Sequence, residues 1–154
     1  MIPEINEDVE IVTERIFHYP STMVFEAWAN PTHLQNWWGP AGFTNTFQEF
    51  DFRIGGKWSF IMHGPEKGNY VNQCEFTDIK SAEIIVWKRF SQPLFNVLVT
   101  FENLSVNETK VIFRQIFDSK EACEKIKKHV LDKNQEVFDR LEQELAFIKN
   151  KHDV

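Results

Sequence analysis

Cysteine is scarce. Cys74 and Cys123 stand far apart with no CxxC spacing, so neither a disulfide framework nor a zinc site is implied. No apolar run approaches the roughly 18 residues that a membrane-spanning helix needs. Positive charge is thin as well. The net charge is −6, and basic residues gather only at Lys125, Lys127 and Lys128. Nucleic acid and anionic membrane surfaces both call for a basic face, so neither is expected as a partner. Met1 to Glu10 carries acidic residues where a secretory leader would be basic and then apolar. A reduced, cytoplasmic setting is the expectation. There is no phosphate-binding glycine loop, no G-x-S-x-G and no HExxH, and no catalytic residue, metal site or cofactor is assigned. Repeats, low-complexity tracts and Pro/Gly/Ser-rich linkers are missing too. Residues 1–154 are therefore read as one domain, with its core at about 7–149.

Aromatic side chains are abundant instead. Fifteen Phe and five Trp stand among 154 residues, each a large apolar body. The hydrophobic share of 42% and the charged share of 26% are ordinary for a globular chain. A chain of this length buries about 68–70% of its unfolded surface and needs no staples. Most of these rings belong in a core, and part of the set is available to line a cavity.

Periodicity orders the elements. Residues 9–17 alternate and are rich in β-branched side chains, which predicts a first strand. Pro20-Ser21-Thr22 breaks it, and the hydroxyls offer an N-cap for a short helix over 23–29. Asn30 is placed to cap a second short helix that has Pro31 at its first position and stops at Gly39-Pro40. From Gly42 the period becomes two. Strands are predicted at 43–54, 57–63, 70–79, 82–90, 95–102 and 109–117, with Gly55-Gly56 as a tight turn. Successive strands with short connections form an antiparallel meander. Asp118 then offers a cap, with Glu121 completing a box-like start. Ala122, Ile126, Val130, Val137, Leu141, Leu145 and Ile148 lie along one stripe of a helix of roughly thirty residues. Such a stripe must cover something apolar, and the concave face of the meander is the large candidate. The expected fold class is α+β, a helix-grip fold. A curved antiparallel sheet of about seven strands carries two short helices after strand 1 and a long C-terminal helix packed on its concave face.

The local sequences sharpen this reading. Phe25-Glu26-Ala27-Trp28-Ala29-Asn30-Pro31, then Leu34 and Asn36-Trp37-Trp38-Gly39-Pro40, closely resembles the opening of the SRPBCC proteins that are similar to the activator of heat-shock protein 90 ATPase. So do Gly42-Phe43-Thr44, the stretch from Glu49 to Gly55-Gly56-Lys57-Trp58, and Met62-His63-Gly64-Pro65. The closing Phe117-Asp118-Ser119, with Asp139-Arg140-Leu141 in the final helix, also looks like this family. The resemblance covers nearly the whole chain, and Trp-Trp-Gly-Pro together with the later Gly-Gly-Lys-Trp and His-Gly-Pro makes it specific. It implies the fold of the wider START-like, birch-pollen-allergen-like superfamily, with a cavity between sheet and helix that takes apolar small molecules. That superfamily includes lipid carriers, polyketide cyclases and chaperone co-factors, so the resemblance speaks to fold more than to function.

Read as a two-residue hairpin, Gly55-Gly56 sets Arg53 opposite Trp58, Asp51 opposite Phe60 and Glu49 opposite Met62, and opposed residues share a face. The three charged residues then either edge a cavity or hold the hairpin at the sheet edge. Alternation and helix face give an expected lining of Trp37, Trp58, Phe60, Met62, Trp87, Phe113, Asn134 and Phe138. Glu49, Asp51, Arg53 and His129 are its polar candidates. Trp37 and Trp38 are about 100° apart on a helix, so one packs inward and the other is left for the cavity mouth, the following loop or a partner. His33 and His63 have no Cys, His or carboxylate at metal-like spacing. Cys74 has no basic neighbour in sequence to lower its pKa.

The expected function is a binding module for a small apolar or aromatic ligand, acting as a monomer or homodimer. A protein-interaction or stress-response accessory is the alternative, and it calls for an exposed aromatic patch around Trp38. A cyclase- or hydrolase-type enzyme comes last. It would use His63 or cavity carboxylates drawn from Glu49, Asp51 and Glu75.

Overall fold

A computed structural model of the chain describes Pro3 and residues 6–152, the last by its backbone alone. The order is β1 (Glu10–Phe17), α1 (Ser21–Ala29), α2 (Pro31–Trp37), β2 (Thr44–Phe50), β3 (Lys57–His63), β4 (Asn69–Lys80), β5 (Ile84–Arg89), β6 (Asn96–Ser105), β7 (Glu108–Ile116) and α3 (Lys120–His152). The strands form one antiparallel sheet in the order β1-β7-β6-β5-β4-β3-β2. The first strand therefore closes against the last, with Thr13 opposite Phe113. This is the α+β helix-grip architecture: a curved sheet wrapped around the long C-terminal helix.

Alternate residues of each strand supply the core, because successive side chains point to opposite faces. Trp58 and Phe60, Phe76, Ile85 and Trp87, Val97 and Val99, and Val111 and Phe113 are all buried in one cluster. From α3 the same cluster receives Val137, Phe138, Leu141, Leu145 and Ile148. Each large side chain so buried contributes about 1.5–3 kcal/mol over leaving it exposed. Val86, Leu98 and Ile116 form a separate cluster with Val9 and Ile84, so the middle strands are apolar on both faces.

Four local readings need correction. The N-cap position of α1 is Pro20, which makes no side-chain cap bond, and Ser21 is already helical. Asn30 caps α2 as expected, accepting from the Thr32 N–H at 3.0 Å. β2 ends at Phe50, short of residue 54. Asp51 N donates to Lys57 O at 2.9 Å and Gly56 N to Arg53 O at 2.8 Å, so the turn takes six residues where two were expected. Gly56 is needed there because a Cβ on it would stand 1.9 Å from the Asp51 carbonyl oxygen. The register moves accordingly, pairing Phe50 with Trp58 and Phe47 with Phe60, with an irregularity between Phe47 and Glu49. At α3 the cap is Ser119, whose Oγ accepts from the Ala122 N–H at 3.1 Å, and not Asp118. Ala122 is exposed. The buried stripe begins one residue later at Cys123, packed with Ile11 and Phe117.

Among the described residues, no helix is long and apolar enough to cross a membrane.

Candidate functional site

The side chains of the sheet and of α3 do not fill the space between them completely. A cavity of about 160 Å³ remains near the middle of α3. Strand alternation sets its wall: Phe60 and Met62 from β3, Trp87 and Arg89 from β5, Phe113 and Gln115 from β7. β4 adds Asn72 and Cys74, and β6 adds Val97. α3 covers it with Asn134 and Val137, and the turn after α2 contributes Trp38, Gly39 and Pro40. The cavity leads to a mouth edged by Phe43, Tyr70, Pro93, His129 and Lys133. Asn72, Arg89, Gln115 and Asn134 border both the cavity and the mouth, together with Pro40, Met62 and Phe95. The polar groups therefore mark the outer end, and the rings of Trp38, Phe60, Trp87 and Phe113 mark the inner one.

That polar end is built by hydrogen bonds. Asn134 donates its Nδ2 to Gln115 Oε1 at 2.8 Å and to Thr13 Oγ1 at 3.0 Å, tying α3 to β7 and β1. Arg89 is held by the turn that follows it. Its Nε donates to Ser91 O at 3.0 Å and to Pro93 O at 2.9 Å, and its Nη2 to Gln92 O at 3.0 Å. Its Nη1 donates to Asn72 Oδ1. The guanidinium also lies 5.5 Å from the centre of the Phe95 ring, close enough for a cation–π contact.

The Trp-Trp-Gly-Pro motif shapes the opposite wall. Trp37 is fully buried and donates its Nε1 to Ala27 O at 3.0 Å. Trp38 leaves the helix and packs edge-on against Trp28, Trp37, Trp87 and Phe113. Gly39 has φ +100°, and a Cβ there would meet Met62 Cε at 2.9 Å and Phe43 Cβ at 3.1 Å. From α3, Arg140 donates to Gly39 O at 2.8 Å, Pro40 O at 3.0 Å and Asn36 O at 2.9 Å. It thus satisfies carbonyls that the end of α2 leaves without intrahelical donors.

Two pKa shifts bear on the chemistry. Burial pushes the Cys74 thiol up to about 12, with the Arg89 charge acting in the other direction. The thiol therefore stays protonated at neutral pH and is no nucleophile. Burial also lowers the Arg89 pKa, yet a guanidinium keeps its charge in any protein setting. No Asp or Glu borders the cavity or its mouth among the described residues. The arrangement can bind and orient a molecule, and it presents no acid–base pair toward one.

Of the expected lining, Phe60, Met62, Trp87, Phe113 and Asn134 come together around the cavity. Trp37, Trp58 and Phe138 do not border it. All three are buried in the solid core behind it, Phe138 against Phe17 and Phe113. His129 is exposed at the mouth. Glu49, Asp51 and Arg53 lie away from the cavity, because the longer turn removes the pairing that would have turned them inward. Asp51 and Arg53 form their own ion pair at 2.7 Å on the surface. Glu75 pairs with Lys57, and both ring nitrogens of His63 meet neighbours, Thr46 and Asn69, at 2.7 Å. The carboxylates and the histidine named for an enzyme are thus outside the cavity. Trp38, around which an exposed patch was expected, is half-buried with its ring packed among others. Among the described residues no cluster of His, Cys, Asp or Glu has a metal-binding arrangement.

Sequence reasoning passed over Arg89 and Gln115. The alternation that selected Trp87 and Phe113 selects both of them, two residues further along the same strands. Asn72 and Cys74 needed the β3–β4 register, which sets them opposite Phe60 and Trp58.

Residues 18–146 match the family model described as Activator of Hsp90 ATPase homolog 1-like protein. No curated protein matches the chain. Solved structures do. A Nitrosomonas europaea protein superposes with a TM-score of 0.83 at 15% identity, covering 94% of this chain and 98% of its own. An Arthrobacter aurescens protein gives 0.82 at 22% identity, with coverage of 95% and 91%. A Mycobacterium smegmatis protein gives 0.81 at 20% identity, with coverage of 92% and 94%. At these identities the likeness concerns the fold.

Proposed function

This chain belongs to the Activator of Hsp90 ATPase homolog 1-like family, and on that premise we propose that it is a binding module that encloses a small, largely apolar molecule between its sheet and α3. The observation that carries the reading is the cavity of about 160 Å³, ring-walled inside and polar at its mouth. Small-molecule sites are mostly apolar with a few polar groups that fix orientation. Close-packed interiors hold few voids larger than a water molecule, so a space of this size is a departure from ordinary packing. An engineered apolar cavity of about 150 Å³ takes up benzene, which sets the body of the ligand at about one aromatic ring. A longer molecule would extend through the mouth. A reducing, cytoplasmic setting fits two buried, unpaired thiols.

The test is native mass spectrometry of protein purified from its own host, set beside the denatured mass. Extra mass released on denaturation, matching a small apolar compound, supports the reading. A clean mass, in protein that also fails to take up toluene, ends it.

A further inference from the structure

Five arginines occur in the chain, and three of them are paired with carboxylates. Arg15, Arg53 and Arg114 meet the carboxylates of Asp139, Asp51 and Glu10 at 2.9, 2.7 and 2.8 Å. Arg140 meets the carbonyls at the end of α2. Arg89 is different. Among the described residues it has no carboxylate partner, although it borders an apolar cavity where an unpaired charge is costly. Of its five N–H groups, three donate to Asn72 and the carbonyls of residues 91–93. One Nη1–H and one Nη2–H have no protein acceptor among the described residues. Cys74, paired with it across β4 and β5, cannot supply the missing charge as a protonated thiol.

The surroundings have the same sign. The chain holds 23 Asp and Glu and a net charge of −6, yet among the described residues no Asp or Glu borders the cavity or mouth, while Arg89 and Lys133 do. Lys133 has its own partner, Glu136, at 3.5 Å, which leaves Arg89 as the uncompensated cation. Its fork is also held in place before any ligand arrives, and a fixed planar guanidinium matches a carboxylate in two parallel hydrogen bonds.

We infer that the ligand is a small aromatic or branched-chain carboxylic acid, bound as its anion. Its carboxylate meets Arg89 beside Gln115 and Asn134, and its body lies among Trp38, Trp87 and Phe113. This inference rests on the cavity-binding reading above and goes one step further, to the charge of the ligand.

Calorimetric titration of the full chain with phenylacetate, phenylacetamide and toluene at neutral pH tests it. The acid is expected to bind on the order of tenfold more tightly than the amide, the usual weight of a charge-assisted bond. In Arg89→Gln that preference falls to about parity, while toluene binds as before. Equal binding of acid and amide to the wild-type protein overturns the inference and leaves the cavity reading standing. Equal weakening of all three compounds in Arg89→Gln overturns it as well, since that is the mark of a clamp on the turn. Failure of all three to bind overturns both readings. If Arg89→Gln does not fold, the wild-type comparison of acid with amide decides alone.

Discussion

Asn134 of α3 and Gln115 of β7 are joined by a hydrogen bond of 2.8 Å, and neither residue is more than 9% exposed. A polar residue on the buried stripe of a long helix is tolerated because it is satisfied. Asn134→Leu leaves Gln115 and Thr13 without their donor, and a stability loss of about 1–3 kcal/mol is expected in urea unfolding. Replacing both Asn134 and Gln115 by Leu is expected to cost less than the two single changes added together, because the stranded partner disappears with the bond. Strict additivity would show that the pair is not coupled.

The turn carrying Trp38 is fixed from α3. Arg140→Met removes the donors that hold the Asn36, Gly39 and Pro40 carbonyls. Stability is expected to fall by about 1–3 kcal/mol. The near-ultraviolet circular dichroism should weaken with it, since Trp38 then loses its fixed place among the neighbouring indoles. Arg140→Lys keeps the charge and cannot span several carbonyls at once, so it should recover only part of the loss.

Gly39→Ala meets two obstacles, the φ of +100° and the close approach of Met62 and Phe43. A loss of about 1–3 kcal/mol is expected. Shortening Met62 to Ala in the same chain relieves the contact and leaves the backbone strain. The double variant should therefore stay below the stability of Met62→Ala alone, as read from the thermal midpoint.

Alkaline pH should report Cys74. Burial pushes its thiol up to about 12 in the folded chain from an ordinary value of 9.0, so the unfolded chain releases the proton first. The stabilising effect of holding it is fully present below pH 9 and is lost as pH rises toward 12. Wild-type protein and Cys74→Ala should differ in the slope of stability against pH within that window, the wild type falling more steeply. Parallel curves would show that the thiol is not held neutral by the fold.

Val137 borders the cavity from α3 and is 6% exposed. Val137→Phe places a ring in the open space. Overpacking costs about 1–3 kcal/mol, and the filled space recovers part of that, so a folded protein is expected that no longer takes up toluene. Undiminished uptake in this variant would locate the binding elsewhere.

The legible parts of the molecule are those that depend on neighbours in sequence. Asn30-Pro31 announced the start of α2, because a cap and a preset φ act within one turn. The alternation in β3, β5 and β7 named Phe60, Trp87 and Phe113. The 51–56 turn was misread because Gly55-Gly56 suits a two-residue hairpin as well, and only the backbone bonds from Asp51 to Lys57 and from Gly56 to Arg53 decide between them. One error in loop length moved Glu49, Asp51 and Arg53 from the cavity to the surface, as a register change must. Trp58 and Phe138 had the right faces and the wrong depth, since periodicity gives direction and not distance from a void.

By itself, then, the amino-acid sequence determined the order of elements, the antiparallel meander, the apolar stripe of α3 and the membership of the family. These follow from hydrophobic period, capping and turn residues, which act over a few positions. Only the tertiary structure decided where packing stops short of filling the space between sheet and helix. It also decided that Arg89 stands at that place with no carboxylate beside it among the described residues. Both depend on side chains from separate strands meeting across the sheet, and the volume left between them is a property of all of them together.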